Sequence, residues 1–183
     1  MITPIFENTW DALRFSFYME VLPAGNISST YTAIKHMMRN SGKVFERVKS
    51  RINMAGLTPI EVRGQCAMVR AVVEDYLTRP ERNAIWARHG IDMTHSRGVA
   101  GLADYLKDKT MSQGECLRLL VDSIYTQVDS MRKIAADYQM PRTTLREDFG
   151  RIKSAVQTLE EIAQQRLDDL FENDSLIIQY ADI

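Results

Sequence analysis

Cysteine is scarce in this chain: 183 residues contain only Cys66 and Cys116, fifty positions apart, with no CxxC pair. The three histidines are scattered. That pattern builds neither a disulfide scaffold nor a zinc site, and it fits a reduced, cytoplasmic setting. His89, Asp92 and His95 fall close together but supply no fourth ligand, so no metal site is expected. No basic stretch followed by an apolar core opens the chain, and a signal peptide is not read there. No apolar run nears the roughly 20 residues that span a bilayer, so no membrane partner is expected. A Gly-rich phosphate loop, a nucleophile with a paired base and metal-ligand spacing are all missing. The adjacent acids Glu74-Asp75 and Glu160-Glu161 diverge by about 100° on a helix and share no site. Neither an enzyme nor a cofactor is expected.

Strand-type alternation stands out nowhere, which leaves an all-α fold. The composition, 45% hydrophobic and 26% charged, is that of an ordinary globular chain of one domain or two small ones. The formal net charge of −1 hides a strong segregation. Residues 31–51 carry six Lys/Arg against one acid, a net +5. Residues 131–153 carry six against three, a net +3, and residues 154–183 carry one against seven, a net −6. Two basic regions and an acidic tail are what matter for phosphate contact.

Three divisions follow. Residues 1–57 read as an N-terminal helical arm, with a helix from Thr9 to Val21 broken at Pro23-Ala24-Gly25-Asn26. Within it Lys35, Arg39, Lys43, Arg47 and Arg51 recur every fourth position, a basic stripe on one helix or, given Asn40-Ser41-Gly42, on two. Residues 58–159 read as the helical core. Thr58-Pro59-Ile60-Glu61 and Thr78-Arg79-Pro80-Glu81 are capping boxes with proline in the first turn, and Ser112-Gln113-Gly114-Glu115 is a third capping box. The first opens a strongly apolar helix (Val62, Cys66, Met68, Val69, Val72, Val73, Leu77), expected as a core helix. The second runs to Gly90, and Ser96 to Leu106 forms a short helix that echoes Ala136-Asp137-Tyr138 in Ala103-Asp104-Tyr105. Residues 160–183 read as an acidic helix and tail. Its seam of Leu159, Ile162, Leu167, Leu170 and Phe171 suggests a partner helix from a second copy, a homodimer through the long C-terminal helix. Leu176-Ile177-Ile178 suggest docking on another protein.

The chain is organised around Ser130–Leu159. A short helix with Ile134, Ala135 and Tyr138 on its inner side, capped by Asp129 or Ser130, ends at Gln139-Met140-Pro141. A long helix follows, from Arg142 to about Glu172, with Leu145, Phe149, Ile152, Val156 and Leu159 on one face. Ala135 is followed four positions later by the turn residue and ten later by Leu145, the spacing of a helix-turn-helix. Glycine, usual at the turn for its freedom at positive φ, is replaced by Gln139. The exposed start of the second helix would offer Arg142, Thr143, Thr144, Arg146 and Glu147 to base edges in a major groove. Arg132, Lys133, Arg151 and Lys153 would meet phosphates, as would Lys35, Arg39, Lys43, Arg47 and Arg51.

Two stretches resemble a known family. Tyr76 to Gly90 is similar to the first helix of sigma-factor region 4, in its Leu77-Thr78-x-x-Glu81-Arg82 opening and its Arg88-His89-Gly90 close. Ile134 to Ile152 resembles the helix-turn-helix that completes such a module. Phage late-gene antitermination proteins of the Q class, in the branch without a zinc finger, join similar elements in this order. The chain departs from a compact sigma-type domain by an extra stretch from about Ile91 to Tyr125. The resemblance implies sequence-specific binding of double-stranded DNA beside RNA polymerase, as a transcription regulator of the antitermination kind. The other reading is a helical adaptor or inhibitor of a host protein that binds no DNA.

Overall fold

A computed structural model describes residues 6–21, 57–126 and 131–177. The basic stripe Lys35, Arg39, Lys43, Arg47 and Arg51, the break after Val21 and the cap at Asp129 or Ser130 lie outside the described residues. The fold is all-α. The described residues form seven α-helices: α1 Thr9–Val21, α2 Pro59–Tyr76, α3 Arg79–His89, α4 Met93–Leu106, α5 Gly114–Thr126, α6 Met131–Asp137 and α7 Arg142–Asn173. A 3-10 turn, Lys107–Lys109, follows α4, and the one β-type contact among the described residues is an isolated parallel bridge between Phe6 and Ile177. None of these helices is long and apolar enough to cross a membrane.

The chain divides into two compact units, Met1–Tyr76 with Gln164–Ile183, and Leu77–Ala163. These boundaries differ from those read at 57/58 and 159/160, because α2 packs with α1 rather than with the helices that follow it.

In the first unit, α1 starts where Asn8 caps it: the Asp11 N–H donates to Asn8 Oδ1 (2.9 Å), and Asn8 Nδ2 donates back to Asp11 Oδ2 (2.8 Å). Leu13, Phe15, Phe17 and Met19 are all buried. Residues two apart lie about 200° apart on a helix, so α1 is covered nearly all round and is a core element of its unit rather than an arm. The capping box of α2 forms as read, with Thr58 N–H and hydroxyl donating to Glu61 Oε2 at 2.6 and 2.7 Å. Those bonds hold the Glu61 carboxyl below its ordinary value. Val62, Cys66, Val69 and Val73 are buried, and burial pushes the Cys66 thiol up to about 11. Met68, grouped with them in the sequence, is exposed on the other side of the helix. Arg70 Nη1 donates to the Ser16 carbonyl of α1 (2.6 Å).

The end of α7 returns to this unit. Ser175 adopts φ +54, and Leu176 N–H donates to the Phe171 carbonyl (2.8 Å) while Ser175 N–H donates to that of Glu172 (3.2 Å), a Schellman ending. Leu176 and Phe171 are fully buried and Ile177 nearly so. Leu176 and Ile177 are thus covered by the chain itself rather than free to dock elsewhere as the sequence suggests, and Ile178 lies outside the described residues. Leu167 and Phe171 of the supposed dimer seam are buried likewise, and Ile162 is the seam residue left exposed.

In the second unit α4 packs along α3 at very short range, which Gly98 and Gly101 permit. A Cβ at Gly98 would lie 2.7 Å from the Asn83 carbonyl oxygen and 2.8 Å from Trp86 C. Gly90 closes α3 at φ −64, not in the left-handed region expected of a C′ glycine; a side chain there would strike the backbone at His95 and Thr94. Leu102, Leu106, Leu117, Leu120 and Val121 of α4 and α5 form one core with Ile134 of α6 and Leu145, Ile152 and Val156 of α7.

A polar chain runs through this core. Glu160 of α7, 8% exposed, accepts from Tyr125 Oη of α5 (3.0 Å) and lies 3.7 Å from Arg88 Nε of α3. The Tyr125 ring meets His95 of α4 edge-on, and His95 places Nδ1 2.7 Å from the Ala87 carbonyl oxygen and Nε2 2.8 Å from Asp122 Oδ1. Burial raises the Glu160 carboxyl above its ordinary value against the pull of Arg88. Burial, and the Glu160 charge after it, likewise raises the Tyr125 phenol. Among the described residues no group of three or more His, Cys, Asp or Glu could hold a metal ion. His95 lies within α4, not in the loop that brought it near His89 and Asp92 in the sequence.

Candidate nucleic-acid interface

The segment Met131–Asn173 folds as a short helix, a tight turn and a long helix, with α7 ending within a residue of its expected limit. At 32 residues α7 is about 48 Å long. The reversal is a second Schellman ending. Met140 N–H donates to the Ala135 carbonyl (3.1 Å) and Gln139 N–H to that of Ala136 (3.3 Å). Gln139 takes φ +51, so the residue found where glycine is usual adopts the left-handed conformation regardless. Pro141 follows, and its carbonyl accepts the first bond of α7, from Leu145 N–H (3.0 Å).

On α6, Ile134 and Ala135 are buried as read, but Tyr138 is exposed. It lies in the turn beyond the last helical residue, so the helical periodicity that put it inward no longer applies. On α7 the two faces separate cleanly. Leu145, Ile152 and Val156 are fully buried, and Phe149 and Leu159 are half-buried. Arg142, Thr143, Arg146 and Glu147 are all exposed, while Thr144 is half-buried at the edge of the apolar face. Lys153 and Arg151 are exposed on the next turns. By helical geometry Arg142, Arg146 and Lys153 project within about 40° of one another. Arg132 and Lys133 are exposed on α6. The structure therefore brings eight of the nine described residues read as DNA contacts to exposed positions on this pair of helices.

In the sequence Asp148 is one acid among the three of residues 131–153. It is 1% exposed and accepts from Ser112 N–H and Ser112 Oγ–H (both 2.7 Å) and from Met111 N–H (3.2 Å), with Arg151 Nη1 at 3.9 Å. Its position carried a signal: three after Leu145 and four before Ile152, it stands on the apolar arc. Ser112 is accordingly not a capping-box residue. Helix α5 starts two positions later, and the Ser112 hydroxyl is committed to Asp148.

The Tyr76–Gly90 stretch supplies α3, and the additional stretch Ile91–Tyr125 supplies α4, the 3-10 turn and most of α5. Compared with family models and with curated proteins, the chain matches none.

Proposed function

We propose that this chain binds duplex DNA through the exposed start of α7 and regulates transcription. The observation that carries the reading is the side-by-side exposure of Arg142, Thr143, Arg146 and Glu147 immediately after a tight turn. Burial of Leu145, Ile152 and Val156 fixes the opposite face. Arginine fits the two acceptors of guanine, and a threonine hydroxyl or methyl suits several base edges. Arg132, Lys133, Arg151 and Lys153 serve as phosphate contacts, which position the helix without reading sequence. Action beside RNA polymerase, as an antitermination factor of phage type, is the narrower form of the proposal and rests on the resemblance of Tyr76–Gly90 and Ile134–Ile152.

The test is a titration of a fluorescent mixed-sequence DNA duplex with the full chain between about 50 and 200 mM salt. If those four cations each meet a phosphate, they contribute about −4 to the slope of log affinity against log salt, and each further phosphate contact adds to it.

The adaptor reading keeps one observation in its favour, the exposed Ile60 and Met68 on α2. It loses another, because Leu176 and Ile177 are buried. No salt-sensitive DNA binding at the lowest salt would favour the adaptor.

A further inference from the structure

The segment between α4 and α5 carries two exposed lysines, Lys107 and Lys109, on a turn whose shape is fixed from several sides. Thr110 Oγ1 lies within donating distance of the Leu106 carbonyl (3.3 Å) and the Ser112 carbonyl (3.1 Å). Gln113 Nε2 donates to the Lys107 carbonyl (2.7 Å) and the Thr110 carbonyl (3.2 Å). The end of the turn is fastened to α7 by the three bonds that Asp148 accepts from Met111 and Ser112. A buried carboxylate holding two successive backbone N–H groups is a strong, charge-assisted attachment. Lys109 Nζ stands 4.0 Å from the centroid of the Tyr105 ring, which restricts where that ammonium can go. Met111, 71% exposed, leaves an apolar side chain facing outward at the fastened end.

The point of attachment sets where these groups lie. Asp148 is six residues after Arg142, about 9 Å along the axis of α7. Asp148 stands about 140° round α7 from Arg142, Arg146 and Lys153, so a turn attached there lies behind the helix at the level of its DNA-facing turns. The part of the duplex within its reach is the strand bordering a major groove about 12 Å wide. Lysine acts on phosphate as a point charge and needs no planar alignment. Lys107 is paired with Asp104 at 3.0 Å, but both side chains are more than half exposed. Such a pair is weak, so a phosphate can take Asp104's place. Asp104 and Asp108 share this surface, so the lysines act as two local contacts rather than as an open positive patch. The fixed shape of the turn lowers the ordering cost of binding.

We propose that the turn Lys107–Ser112 is a second phosphate-contacting element, in which Lys107 and Lys109 grip the DNA backbone bordering the groove entered by α7. The inference rests on the DNA-binding reading given above, and its test separates the two. The full chain and its Lys107→Gln/Lys109→Gln variant are titrated against the same fluorescent mixed-sequence duplex across the same salt range. Both side chains are exposed, so the variant should melt at the wild-type temperature. The expected result is weaker binding to every sequence alike, with the log–log salt slope shallower by about two. Salt-dependent binding by the wild type with an unchanged slope in the variant would overturn this inference and leave the DNA reading standing. A wild-type chain with no salt-dependent binding would overturn both.

Discussion

Gln139 holds φ +51 in a conformation that side chains with a Cβ adopt at a cost of roughly 1–2 kcal/mol, and it does so because the Schellman bonds around it fix the reversal. Glycine loses more backbone freedom on folding, which offsets part of the relief. Gln139→Gly should therefore stabilise the chain by about 0.5–1 kcal/mol, read as a rise of a few degrees in thermal midpoint. Glu160 makes a pH prediction. Its carboxyl is raised in the folded state by burial, so folding favours the protonated form. The stability this gives is fully present below the ordinary carboxylate value of about 4.5 and is lost as pH rises through the raised value. Denaturant titrations of wild type and Glu160→Gln should differ increasingly in the variant's favour from pH 4.5 towards neutrality. A difference that does not change with pH would remove the carboxylate as its source.

Most helix starts and stops follow local chemistry and are legible in the sequence for that reason; the start of α5 is not, because Ser112 is held by Asp148 of another helix. Thr58 and Glu61, or Pro141 with its restriction on the preceding residue, act within four positions of the ends they set. The apolar arc of α7 was legible for the same reason. What periodicity could not reveal were partners far along the chain: Ser112 lies 36 positions from Asp148, and Tyr125 lies 35 from Glu160. Periodicity puts both acids on the apolar arc of α7 but names no partner for either. Leu176 hides its packing in a similar way, since it looks bare only when the turn at Ser175 is not foreseen. The close approach of α3 and α4 is also a property of the pair. Gly98→Ala should force these helices apart and cost about 1–3 kcal/mol in a denaturant titration. A neutral effect would mean that the helices shift freely at this contact.

At the scale of the molecule, a net charge of −1 is distributed so that one end of α7 is basic and the other acidic. The basic end belongs to the unit Leu77–Ala163, where α6, the turn and the first part of α7 present their cations. The acidic end belongs to the other unit, where Leu167, Phe171 and Leu176 are buried. In the proposed reading the first part of α7 contacts nucleic acid, while the last part packs within the chain. The central claim is that the exposed start of α7 reads bases, and Arg146 is the residue on which it turns. The decisive measurement is the affinity of wild type and Arg146→Ala for a duplex selected by the wild type from a random pool, each relative to mixed-sequence DNA. The account predicts that a short recurring motif emerges and that Arg146→Ala loses roughly 1–3 kcal/mol of preference at one position of it, while mixed-sequence binding changes little. Equal loss on the selected and the mixed DNA, or a pool from which no motif emerges, would contradict it.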